Sequence, residues 1–120
     1  MFSEYAIDRS HEADTPPGSY TGAAGGAACG DLARISLTLD GGTVVAAVFG
    51  TEGCAATRAA CACVCDLVEG ESAIEAARIG VERIDRELGG LSPARRHASV
   101  LAADALHRAL SAAASSGEIL

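Results

Sequence analysis

Residues 27–68 read AACGDLARISLTLDGGTVVAAVFGTEGCAATRAACACVCDLV, and this stretch decides the fold. Residues 34–39 (Arg-Ile-Ser-Leu-Thr-Leu) alternate polar and apolar, the period of a half-buried strand. Asp40-Gly41-Gly42 supplies a hairpin turn, because glycine accepts the positive φ that tight turns need. Residues 43–50 return as a second strand, rich in Val and with Phe49 near its end. From Ala55 to Val68 nothing breaks a helix, and Gly70 lies just beyond. Cys29 precedes the hairpin and Cys54 follows it at the start of that helix, each beside a glycine. A hairpin that returns two such thiols toward one another points to a metal or sulfur site.

Downstream, Ser72-Ala-Ile-Glu75 is a capping-box pattern that opens a short helix ending near Gly80. Residues 81–88 predict another short helix, closed by Gly89-Gly90. Ser92-Pro93 reads as an N-cap with proline at the first helical position. The helix it opens carries Leu101, Ala105, Leu106, Ala109 and Leu110 as one apolar stripe. Upstream, residues 2–9 form a short amphipathic piece, and Thr15-Pro16-Pro17-Gly18 breaks regular structure. Residues 22–26 (Gly-Ala-Ala-Gly-Gly) read as mobile; a third strand around residues 20–24 has little support in the pattern. A phosphate-binding glycine loop is excluded there, since no strand precedes it and no basic residue follows. The expected organisation is a flexible or partly helical lead-in over 1–26, one domain over 27–114, and a frayed tail over 115–120. Strands followed by helices indicate an α+β fold: a small antiparallel sheet, a hairpin or three-stranded meander, with helices packed on one face.

Composition narrows the chemistry. Lys, Asn, Gln and Trp are absent and all nine basic residues are Arg, which removes Walker-lysine phosphotransfer and Schiff-base chemistry. The net charge of −7 disfavours a direct grip on a nucleic-acid backbone and suits protein partners. No long apolar run or basic-then-apolar leader appears, so the expectation is a cytoplasmic protein without membrane contact. Five cysteines, three of them at 61, 63 and 65 in one helix, do not make a secreted disulfide framework; reduced thiols are the better reading.

A helix N-terminus favours anionic groups, which makes Cys54 the better nucleophile or ligand candidate. Asp31, two residues past Cys29, places a carboxylate near the same place, and His97 falls in the first turn of the last helix. Together Cys29, Asp31, Cys54 and His97 are a donor set suited to zinc or iron. Each has a plainer reading alone: a small buried hydrophobe for a Cys, above all for Cys61, Cys63 and Cys65, a turn residue for Asp31, a solvated helix-start residue for His97. Cys61 and Cys65 share a helix face at i, i+4. Cys61 stands roughly 10 Å along the helix from Cys54, however, too far to join its site.

The joint pattern resembles the IscU/NifU N-terminal family of iron–sulfur cluster assembly scaffolds. The resemblance runs over residues 18–110: Cys-Gly-Asp, a hairpin, Gly-Cys opening an Ala-rich helix, Glu-Gly, a short helix, then His followed by Leu-Ala-x-Asp-Ala-Leu. It implies a SufE/NifU-like fold, with the family's first two cluster-ligating cysteines falling on Cys29 and Cys54. The aspartate that keeps the cluster labile falls on Asp31, and the site histidine on His97. It implies as cargo a transient [2Fe–2S] cluster or a Zn or Fe ion, with a cysteine desulfurase and apo iron–sulfur acceptor proteins as partners. The chain departs from the family at Ala98, where a third cysteine follows the histidine, and at residues 91–96, where a chaperone-binding motif is replaced by Leu-Ser-Pro-Ala-Arg-Arg. The Ser-Pro-Ala-Arg-Arg-His-Ala stretch is similar to scaffold-like domains fused ahead of tRNA 2-thiouridylases, which implies sulfur delivery for tRNA thiolation. The expected role is a carrier of metal, cluster or sulfur through Cys29 and Cys54, and not a turnover enzyme. The alternative is a degenerate, metal-free docking module for a cysteine desulfurase or a thiouridylase.

Overall fold

The computed structural model describes residues 5, 10–26, 30–90, 92, 93 and 96–117. Three strands, β1 (Tyr20–Gly26), β2 (Asp31–Asp40) and β3 (Thr43–Glu52), form an antiparallel meander in that order. Four helices follow: α1 (Ala55–Val68), α2 (Ala73–Ala77), α3 (Val81–Glu87) and α4 (Arg96–Ser115). This is the expected α+β architecture. None of the described helices is long and apolar enough to cross a membrane.

The β2–β3 hairpin turns through Gly41 and Gly42, both at positive φ, between the paired residues Asp40 and Thr43. Along β2 the alternation holds, and Ala33, Ile35, Leu37 and Leu39 all face the core. β3 would lose its phase, since Val44 and Ala47 are both buried although three residues apart. A register shift between Thr38 and Leu39 accommodates the extra residue and turns Val45 outward. A bulge is how a strand keeps one apolar face when its pattern slips. Phe49, fully buried, anchors the far end of the strand at about 2–3 kcal/mol of burial.

α1 and α4 lie across the sheet and against each other. Their contact surfaces are mostly alanine: Ala59, Ala60 and Ala62 on α1 and Ala102, Ala105 and Ala109 on α4 are inaccessible. Side chains this small let backbones approach closely. α1 is bounded as expected, from Ala55 to Val68. Ser72 Oγ accepts from the Glu75 N–H at 3.1 Å and opens α2, while the Glu75 carboxylate pairs with Arg78 at 3.3 Å. α4 is described from Arg96, later than the Ser92-Pro93 start predicted; a helical bond from Arg96 N–H to Ser92 O at 3.0 Å carries the turn back.

The principal correction lies upstream. Residues 22–26, expected to be mobile, belong to β1, which pairs with β2 from Tyr20↔Leu37 to Gly26↔Asp31. The packed region therefore begins ahead of residue 27. The glycine at position 22 is there for close approach, because a Cβ would strike the backbone of α4 at Ala105 and Ala109. The preceding segment is docked as well. Ala13 N–H donates to Phe49 O at 3.0 Å and Phe49 N–H to His11 O at 2.9 Å, covering part of the β3 edge. Val44, further along that edge, donates to Glu71 O at 2.9 Å. The expected helix over residues 2–9 lies, apart from Tyr5, outside the described residues.

Candidate metal and sulfur site

One end of the sheet is defined by Gly26 of β1, Asp31 at the start of β2 and Glu52 at the end of β3. From Glu52 the chain turns through Gly53 into Cys54, the N-cap residue of α1. Cys54 is exposed, and its sulfur lies 3.5 Å from Thr57 Oγ1, one turn along the helix. Its backbone N–H donates to Asp31 Oδ1 at 2.9 Å. Two residues of the expected set, Cys54 and the supporting Asp31, are thus in direct contact. Asp31 and Glu52 also line an open concavity of about 360 Å³ with Gly26, Gly30 and Leu32. Asp31 and Glu52 make this end of the sheet acidic, and Cys54 stands two residues past Glu52 in the chain.

α4 runs antiparallel to β1. Ser116 Oγ donates to Tyr20 Oη at 3.0 Å, Arg108 donates to Ala23 O at 3.1 Å, and the Leu101 side chain sits over Gly25. This register carries the first turn of α4, with His97, to the end of the sheet where Asp31 and Cys54 lie. His97 is exposed there, while Ala98 is buried. Where the resembling family has its third cysteine, this chain offers a methyl group and no donor. Cys29 lies outside the described residues; Gly30, which follows it, donates its N–H to Gly26 O at 3.1 Å. Among the described residues no three His, Cys, Asp or Glu side chains converge on one ion, so Asp31, Cys54 and His97 do not make a complete site by themselves.

The other thiols are elsewhere. Cys61, Cys63 and Cys65 are inaccessible, in the body of α1. Burial pushes Cys61 and Cys63 up to about 12, with Glu87 and Asp66 adding to the effect at Cys63. Burial also drives Cys65 well above the ordinary thiol range, assisted by Cys61 and Glu69. All three stay protonated and apolar, as the plainer reading has it. Sequence reasoning assigned no role to Gly53. Its signal was its place directly before a helix-start cysteine, with φ +114° in the structure and no room for a side chain.

The description "NifU-like N terminal domain" fits a family model that matches residues 7–116 of this chain. A bifunctional protein NifU/MnmA of Rubrobacter xylanophilus is 39% identical over 108 residues, covering 88% of this chain and 22% of that protein. The iron–sulfur cluster assembly scaffold protein IscU 1 of Archaeoglobus fulgidus is 36% identical over 89 residues, covering 74% of this chain and 58% of that protein. The chain therefore spans less than two thirds of the length of either relative. Among solved structures, the N-terminal part of a nitrogen-fixing NifU-like protein from Brucella abortus superposes with a TM-score of 0.67 at 21% identity, covering 93% of this chain and 90% of that one. FiSufU from Fervidobacterium islandicum, a SUF-system protein, gives 0.73 at 19% identity over 91% and 93% of the two chains. These two likenesses bear on the fold, the α+β meander with its helical layer. With the family model spanning nearly all of it, the chain belongs to the NifU-like N-terminal domain family.

Proposed function

We propose that this domain is an iron–sulfur assembly scaffold module that carries its cargo at the Asp31–Cys54 end of the sheet. Cys29 and Cys54 provide the thiolates that hold iron, zinc or a transient [2Fe–2S] cluster, or relay sulfur. Asp31 and His97 support them. The observation that carries this reading is the contact between Asp31 and the exposed start of α1. It places a carboxylate and an accessible thiol together at an acidic end, while the remaining described thiols are sealed in the core. The donor types fit the cargo: thiolate and imidazole suit zinc and iron, and a carboxylate is a harder ligand that weakens retention. The module acts as a carrier, receiving sulfur from a cysteine desulfurase and passing cargo to an acceptor protein. A tRNA 2-thiouridylase is one such acceptor, a choice supported by the relative that joins NifU and MnmA in one protein.

A second reading, a metal-free docking domain for the same desulfurase or thiouridylase, is favoured by one feature. Ala98 is buried and carries no donor where the family has a thiolate. Ala98→Cys separates the two. Ala98 lies on the buried stripe of α4 one turn before Leu101 and Ala102, so a thiol there adds one sulfur at the cargo end. Anaerobic reconstitution, read by visible absorption and iron per chain, should give a severalfold higher yield and longer-lived [2Fe–2S] cluster for Ala98→Cys. Equal failure of both proteins would favour the docking reading. Equal and full loading would show that the natural chain already has a complete ligand set.

A further inference from the structure

The helix that presents Cys54 starts without a cap of its own. Cys54 occupies the N-cap position, but its side chain makes no capping hydrogen bond. Such positions are ordinarily filled by Ser, Thr, Asp or Asn, whose oxygen takes up one of the helix's orphan amides. Here the carboxylate arrives from another element. Asp31, the first residue of β2 and 23 residues earlier in sequence, accepts from the Cys54 N–H through Oδ1. Because Asp31 is paired with Gly26 across the sheet, the acceptor is held by the sheet and not by a loop.

Residue 53 decides whether that carboxylate can arrive. A Cβ on Gly53 would overlap Asp31 Oδ1, and would stand 2.9 Å from Asp31 Cγ and 2.8 Å from Gly30 O. The conformation is itself closed to ordinary side chains, since φ is +114°. Three features therefore depend on one another: a glycine with no side chain, a carboxylate in the space so vacated, and a cysteine amide bonded to it.

We propose that Asp31 and Gly53 are a positioning pair for Cys54. Asp31 acts through the Cys54 amide, tying the start of α1 to β2 and so fixing where the thiol stands; Gly53 admits the carboxylate. The functional weight of this pair rests on the scaffold reading, in which Cys54 is a cargo thiol, but the geometry does not. While the bond holds, Oδ1 is committed to the amide and Asp31 is no bidentate ligand. A positioning role needs an acceptor oxygen and no charge, so Asn should replace Asp31 where Ala cannot.

The test uses the full chain, reduced, with two readouts. In the metal-free protein, amide hydrogen exchange by NMR should show the Cys54 N–H exchanging roughly tenfold faster in both Asp31→Ala and Gly53→Ala, the loss expected for a broken hydrogen bond worth about 1.4 kcal/mol. Asp31→Asn should stay close to the natural protein, and amides in the middle of α1 should be unchanged in every variant, showing that the helix is intact. The double variant should exchange no faster than either single one, because both remove one contact. In the second readout, cobalt(II) is titrated anaerobically and followed by its thiolate charge-transfer absorption. Asp31→Ala and Gly53→Ala should both lose affinity, and Asp31→Asn, which keeps an acceptor for the Cys54 amide, should lose less than Asp31→Ala. A Cys54 amide indifferent to Asp31→Ala, or Asn no better than Ala, overturns the proposal. Full additivity in the double variant breaks the pairing. Should Gly53→Ala fail to fold, the Asn-against-Ala comparison at Asp31 still decides. A natural chain that binds no cobalt while its amides respond as stated would sink the scaffold reading and leave the positioning pair standing.

Discussion

α1 has thiols in two settings, one at its N-cap and three within its body. Cys54 is exposed, its amide held by Asp31 and its sulfur beside Thr57. Cys61, Cys63 and Cys65 begin two turns later and are sealed against solvent. Side-chain chemistry is identical, so the difference lies in what the fold does with each turn of the helix. At the N-terminus the helix leaves amides unpaired and the chain emerges from the sheet edge, so a thiol there meets solvent and charge. Further in, the helix lies under β3 and α4, and a thiol becomes one more small apolar group among alanines. A cysteine count by itself would have put the chemistry where three thiols crowd together. The structure puts accessible sulfur where one stands apart.

The sharpest way to break this contrast is alkylation of the folded protein. Iodoacetamide should modify Cys54 at an ordinary rate, while Cys61, Cys63 and Cys65 react only through opening of the fold, on the order of a thousandfold more slowly. Mass spectrometry of the peptides reads the ratio. Modification of the α1 interior on the timescale of Cys54 would end the distinction.

The next effect appears at alkaline pH. Thiols raised to about 12 in the folded chain ionise near the ordinary thiol value of 9.0 once unfolded. Folded stability is therefore undiminished below pH 9 and falls as pH rises from there toward the folded values. The slope is roughly 1.4 kcal/mol per pH unit for each thiol. Replacing all three interior cysteines by Ala should remove that alkaline loss; Ser is the poorer choice, because it buries a hydroxyl in an apolar setting. Unchanged alkaline behaviour in the Ala variant would show that these thiols are not the cause.

The smallest effect belongs to the other end of α1. Glu69 accepts from the Ala47 N–H at 3.0 Å and pairs with His11 at 3.0 Å, joining the helix end to β3 and to the docked N-terminal segment. Burial works to raise this carboxyl, but the His11 hydrogen bond, the Ala47 amide and the His11 charge together hold it below its ordinary value. A depressed carboxyl contributes stability above the unfolded value of 4.5 and loses it as pH falls below. Glu69→Gln should cost at most about 1 kcal/mol near neutrality, since the pair is partly exposed. The cost should vanish under acid conditions, as thermal melts across pH would show.

The sequence made the hairpin, α1 and the helix-start cysteine legible because their signals are local: period-two alternation, a Gly-Gly turn, an unbroken helical run after Gly53-Cys54. β1 was nearly invisible. Tyr-Thr-Gly-Ala-Ala-Gly-Gly has no β-branched alternation, and Gly22 registers the closeness of α4 at Ala105 and Ala109, a tertiary fact 83 residues or more away in sequence. The docked segment around His11 was equally hidden, because its partners are Phe49 and Glu69. Asp31 was singled out for its carboxylate, yet its bond to the Cys54 amide across the start of the sheet has no local pattern. The bulge that keeps both Val44 and Ala47 in the core belongs to the same class.

The central claim is that cargo is held at the Asp31–Cys54 end and nowhere else on α1. Iron and zinc content of anaerobically purified full chain, measured by elemental analysis, tests it most directly in the natural protein, in Cys54→Ala, and in the triple Ala variant of Cys61, Cys63 and Cys65. The account predicts about one ion per chain in the natural and triple-variant proteins and loss of most of it in Cys54→Ala. Metal that survives Cys54→Ala, or disappears from a folded triple variant, would contradict it.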